Sequence, residues 1–160
     1  MTSITYLLSF PSYGCFMGAF TRARPDRTTD ASADINELTR AVIGAAIKIH
    51  RRLGPGLLES AYEACLSHEL RAQGLLVERH KPVPLIYEGV KLDCGFRADL
   101  VVEGRLIVEL KCKEALPPVD YSQLLSHLRL LGLEVGLLIN FHVNVLKDGV
   151  TRMVNNYREE

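Results

Sequence analysis

The sequence predicts a mixed α/β (α+β) fold, a central mixed sheet flanked by helices, and three observations predict it. Apolar positions from Leu38 to Leu70 recur at helical spacing. From Leu76 the period drops to two and holds as far as Lys111. A second helical stretch, Tyr121 to Leu131, then leads into Val135 to Phe141, a continuous apolar run of the kind that is buried on both faces of a sheet.

At 160 residues the chain has the length of one domain with a single core. Apolar residues make up 48% and charged residues 24%, the balance of a soluble globular protein, and the formal net charge is zero. Residues 1–34 carry Arg22, Arg24 and Arg27 against Asp26, Asp30 and Asp34, so the remainder is neutral too. Any binding of nucleic acid must then rest on a local basic patch and metal ions. Cys15, Cys65, Cys94 and Cys112 are scattered without zinc spacing, and reduced thiols are expected. No apolar run reaches the roughly 20 residues that span a bilayer. A cytoplasmic protein with no membrane partner is expected.

In order along the chain, residues 1–34 show no periodicity and read as a disordered extension, without the pattern of a secretory signal. Residues 35–155 form the domain, and 156–160 read as a frayed tail. The first helix is expected from Ile35 to Arg52, started by the capping-box-like Asp34-x-x-Glu37 and stopped by Gly54-Pro55-Gly56. A second runs from about Leu58 to Gly74, burying Ala61, Tyr62, Cys65, Leu66 and Leu70. Glu59 falls in its first turn, where a carboxylate also suits the helix dipole. Pro82 and Pro84 interrupt the first strand and confine that part to an edge or a bulge, and Glu88-Gly89 is a hairpin turn. In the later helix Gln123 and His127 lie one turn apart. Lys147-Asp148-Gly149 turns the chain into a last strand, Val150 to Val154.

The chemistry concentrates between Phe96 and Lys111, two apolar strands around Gly104. Asp99 stands near the start of the first, and Glu109 and Lys111 share one face of the second, opposite Val108, Leu110 and Cys112. Charges inside strands this apolar require a reason. On spacing alone, a solvated hairpin whose Glu and Lys neutralise each other stands beside a functional site. Register separates the two. A two-residue turn at Glu103-Gly104 sends Asp99 to the face away from Glu109, whereas a three-residue connection, Glu103 to Arg105, or a bulge near Asp99 brings the two acids side by side.

The constellation resembles the PD-(D/E)XK nuclease superfamily. Gly56-Leu57-Leu58-Glu59-Ser60-Ala61-Tyr62 looks like the signature of its GxxExxY family, with further matches at Ile43 to Ala46, His50, Leu92 to Asp99 and Gly136 to Phe141. The resemblance covers about Ile35 to Val154. It implies a restriction-endonuclease-like core and a divalent-metal-dependent nuclease that hydrolyses phosphodiester bonds. Carried over by position, Asp99, Glu109 and the Leu110 backbone carbonyl become metal ligands, with Glu59 a further acid. Lys111 becomes the catalytic lysine, and Gln123 orients the site. Hard oxygen donors of this kind suit Mg²⁺ or Mn²⁺. The implied partner is nucleic acid, DNA ahead of RNA, and a homodimer is an open form of assembly. His127 stands where a tyrosine is usual and is expected as a partly buried helix-face residue, while His50 matches the family without an assigned role. The alternative function is a catalytically silent nuclease-fold module that binds nucleic acid or protein.

Overall fold

The structure, a computed structural model, describes residues 31–92 and 95–155, with side chains from Ile35 onward. The extension expected over 1–34 and the tail 156–160 lie outside them, save for helical backbone at 31–34, and so do Cys15, Asp93 and Cys94. Helix α1 spans Ala31–Leu53 and α2 Glu59–Ala72. Strands β1 (Val77–Pro82), β2 (Leu85–Tyr87), β3 (Val90–Leu92), β4 (Arg97–Val102) and β5 (Leu106–Lys111) follow. Then come α3 (Pro118–Leu131), β6 (Val135–Asn140), a 3₁₀ turn (Leu146–Gly149) and β7 (Val150–Val154).

Boundaries shift at three places. Helix α1 begins upstream of Asp34, because Ala31 and Ala33 are strong helix formers that carry it past the cap-like pattern. Helix α3 begins at Pro118 rather than Tyr121, since a proline at the first helical position loses no hydrogen bond. The expected turn at Lys147-Asp148-Gly149 is a 3₁₀ helix that begins one residue earlier.

The main sheet has the order β1-β4-β5-β6-β7 and is antiparallel except between β5 and β6. That parallel pair is joined through α3, as a crossover requires. The proline-interrupted β1 is an edge strand, and Glu88-Gly89 (φ 48° and 77°) closes the separate β2–β3 hairpin with both residues left-handed.

One core lies between the sheet and α1 with α2, where Val42, Ala46, Tyr62, Leu66 and Leu70 meet Leu100, Val108 and Leu110. The other lies under α3, where Leu124 and Leu128 meet Val101, Ile107 and Leu138. Strand β5 is buried along its whole length. Alternation puts Glu109 and Lys111 on the α3 side with Ile107. Gly136 lets α3 come close, because a Cβ there would stand 2.7 Å from Leu124 Cδ1. Among the described residues no helix is long and apolar enough to cross a membrane.

Candidate active site

The β4–β5 connection is the three-residue turn Glu103-Gly104-Arg105, with register Val102↔Leu106, Val101↔Ile107 and Leu100↔Val108. Glu103 tolerates a left-handed φ of 52° because two hydrogen bonds tie it to Leu76: its N–H donates to the Leu76 carbonyl and its Oε1 accepts the Leu76 N–H. Continued by one step, this register sets Asp99 opposite Glu109 on the α3 face. This is the arrangement that a functional site requires of the turn.

The ladder stops at that step. Instead of pairing with Ala98, the Leu110 N–H donates to Asp99 Oδ2 at 2.9 Å. On the other edge of β4 the pairing with β1 skips His80 opposite Asp99, and His80 has φ 49°. Asp99 therefore sits at a twist of the strand, which also turns Ala98 into the α3-side core although Leu100 belongs to the other. The Leu110 carbonyl leaves β5 on the same edge as its N–H, toward Asp99.

Glu109 is fully buried, and its two oxygens have different surroundings. Oε1 accepts a hydrogen bond from His127 Nδ1 at 2.7 Å. Oε2 lies 3.7 Å from Lys111 Nζ and has no hydrogen-bond partner. Leaving a buried carboxylate oxygen without a hydrogen bond is costly, and here only the Lys111 charge offsets that cost. His127 is 2% exposed, more buried than its place on the helix face suggested, and the Phe96 ring meets it edge-on at 6.4 Å. The signal lay in the spacing: His127 falls within the stripe Leu124, Leu128, Leu131, and a core histidine needs a polar partner.

Glu59 opens α2 behind Leu58, which supplies no side-chain cap. The loop before it is held by Tyr62, whose hydroxyl donates to the Gly54 carbonyl at 2.6 Å and accepts the Leu57 N–H at 3.2 Å. The Tyr62 ring stacks on Phe141 at 4.2 Å. Burial raises the Glu59 pKa against the pull of Lys111 and Lys113, and Glu109 and Asp120 add to the rise. Asp99 is pushed up to about 7, first by burial and next by the Glu109 charge, with Glu59 adding; the Leu110 N–H and Lys111 act in the opposite direction. The three acids and Lys111 thus share one electrostatic environment.

Beyond β5, Lys113 forms an ion pair with buried Asp120 at 2.8 Å. Asn140 clamps the Lys113 backbone from both sides, accepting its N–H at 3.1 Å and donating to its carbonyl at 2.7 Å. Gln123 is exposed on α3, one turn before His127. His50 is a structural residue, its Nε2 donating to the Val143 carbonyl at 2.8 Å. Sequence reasoning also missed buried Glu63, which pairs with Arg79 at 2.7 Å and stands 3.2 Å from His80. Its place beside Tyr62 on the buried side of α2 was the available signal.

Oxygen donors with one unpartnered buried atom fit a hard divalent ion. Among the described residues no three His, Cys, Asp or Glu side chains already gather as a metal cluster. Asp99, Glu109 and Glu59 repel one another, and Lys111 stands against Glu109.

The model of a family described as the PD-(D/E)XK nuclease superfamily matches residues 36–153, from α1 into β7. The chain belongs to the PD-(D/E)XK nuclease superfamily. No curated protein and no solved structure matches it. The five-stranded mixed sheet with flanking helices is consistent with the restriction-endonuclease-like fold of that superfamily, whose nucleases generally use divalent metals.

Proposed function

We propose that this PD-(D/E)XK domain is a divalent-metal-dependent nuclease of the GxxExxY type. The observation that carries the proposal is the Asp99–Leu110 contact next to Glu109, whose Oε2 is buried without a hydrogen-bond partner. A surface hairpin with a neutralised Glu and Lys has no reason to bury either.

In this reading Asp99, Glu109 Oε2 and the Leu110 carbonyl hold Mg²⁺ or Mn²⁺, and Glu59 is the further acid at the mouth. The ion polarises the phosphodiester and lowers the pKa of water when bound. Lys111, 7% exposed and beside Glu109, places a positive charge where the phosphorane's negative charge grows. Gln123, exposed on α3, is the residue assigned to orient the site. The GxxExxY pattern acquires a physical meaning in the same loop. Gly56 adopts φ 106°, Glu59 faces the acids, and Tyr62 fastens the loop that carries both.

The competing reading, a silent module that binds without cutting, draws on the lack of a gathered three-acid cluster among the described residues. Incubating purified protein with labelled single- and double-stranded DNA and RNA, in Mg²⁺, Mn²⁺ or EDTA, separates the two. DNA is the substrate to try first, and Asp99→Ala is the control. Cleavage that needs the ion and is lost in Asp99→Ala supports the nuclease. Cleavage that survives both changes refutes the mechanism.

A further inference from the structure

Among the described residues His127 pairs with Glu109, and the shape of that contact limits what Glu109 can do. An ionised carboxylate only accepts hydrogen bonds, so the Nδ1 atom at 2.7 Å carries the proton. Both side chains are nearly sealed, at 3% and 1% exposed. Leu124 and Leu128 flank the histidine on α3, and Phe96 stands edge-on to it. The imidazole cannot swing away without opening the packing under α3. Glu109 is held with Oε1 on His127 and with Oε2 3.7 Å from Lys111 Nζ and without a hydrogen-bond partner.

We propose that His127 is a positioning residue that fixes Glu109 as a one-oxygen ligand and so tunes the site toward Mg²⁺ and against Ca²⁺. This rests on the metal-site reading above. Mg²⁺ is small, demands octahedral geometry and takes single carboxylate oxygens while keeping several waters. Ca²⁺ takes more ligands at longer range and commonly gathers both oxygens of a carboxylate. For Glu109 to offer both oxygens, Oε1 must share its lone pairs between the ion and the His127 N–H, which weakens a buried charge-assisted hydrogen bond. Such a bond contributes enough to change an affinity ratio by about tenfold or more.

Calorimetric titration of the full chain with Mg²⁺ and with Ca²⁺ tests this without any substrate, on wild type, His127→Phe and His127→Asn. Phenylalanine fills the space and removes the donor, whereas the asparagine amide can donate from near the Nδ1 position. The wild type is expected to prefer Mg²⁺. In His127→Phe the Mg²⁺-to-Ca²⁺ affinity ratio should fall roughly tenfold, and in His127→Asn it should be largely restored. An unchanged ratio in His127→Phe, or no rescue by asparagine, overturns the proposal. Should His127→Phe fail to fold, the wild type still decides, because Ca²⁺ bound as tightly as Mg²⁺ overturns it as well. A wild type that binds neither ion refutes the metal site itself, an outcome distinct from both.

Discussion

Asp99 Oδ2 accepts the backbone N–H of Leu110 at 2.9 Å, a hydrogen bond that replaces the next step of the β4–β5 ladder. It holds one acid against the backbone of the strand that carries the other. If the acids are ligands and Lys111 stabilises developing charge, Asp99→Ala, Glu109→Ala and Lys111→Ala should each lower phosphodiester hydrolysis on the order of 100-fold or more. A steady-state assay on folded variants checks this, and near-wild-type rates in any of the three would remove that residue from the mechanism.

The raised pKa of Asp99 has a consequence for stability. The folded protein keeps the Asp99 proton up to about pH 7, whereas the unfolded chain releases it near the ordinary aspartate value of 3.8. Between those values the folded state binds more protons, so stability must fall as pH rises. Metal-free wild type should therefore melt higher at pH 5 than at pH 7 on account of this group, and Asp99→Asn should flatten that slope. Melting curves in EDTA across the range are the check; equal slopes in the two proteins would contradict the assignment.

Tyr62 predicts a loss of fold stability that begins in the loop before Glu59. Tyr62→Phe keeps the stack on Phe141 and removes both hydrogen bonds to the Gly54–Leu57 loop. The expected cost is about 1–3 kcal/mol, or several degrees in melting temperature. Differential scanning calorimetry reads it directly.

Asn140→Ala should cost more, because the Asn140 side chain bonds the Lys113 backbone twice and the His142 N–H once, all around a residue 4% exposed. A loss of about 2–4 kcal/mol is expected, seen as a lower denaturation midpoint with an unchanged slope.

The local hydrophobic pattern made much of the fold legible. Gly54-Pro55-Gly56 could only stop a helix, Glu88-Gly89 could only turn tightly, and Val135 to Phe141 could only be buried. The charges of the candidate site stood out as well, since Asp99, Glu109 and Lys111 interrupt strands that are otherwise apolar. What the sequence did not show is how side chains from distant segments meet. The His127–Glu109 bond joins a helix to a strand 18 residues away and depends on how closely α3 approaches over Gly136. The twist at Asp99 depends on His80, which lies on a different strand. The start of α1 was misplaced because a cap-like pattern also occurs inside helices whose upstream residues favour helix.

The central claim is that Asp99, Glu109 and Glu59 form one site for a divalent ion. A comparison of the melting temperatures of wild type and Asp99→Asn, in EDTA and in ~10 mM Mg²⁺ or Mn²⁺, tests it most directly. With a dissociation constant on the order of 1 mM, the ion should stabilise the wild type by about 1.4 kcal/mol, or roughly 2–4 °C. Asp99→Asn keeps an acceptor for the Leu110 N–H and removes a repelling charge, so it should melt higher than wild type in EDTA at pH 8 and lose most of the ion-induced shift. If the two proteins melt alike in EDTA and respond alike to Mn²⁺, these acids do not form a metal site.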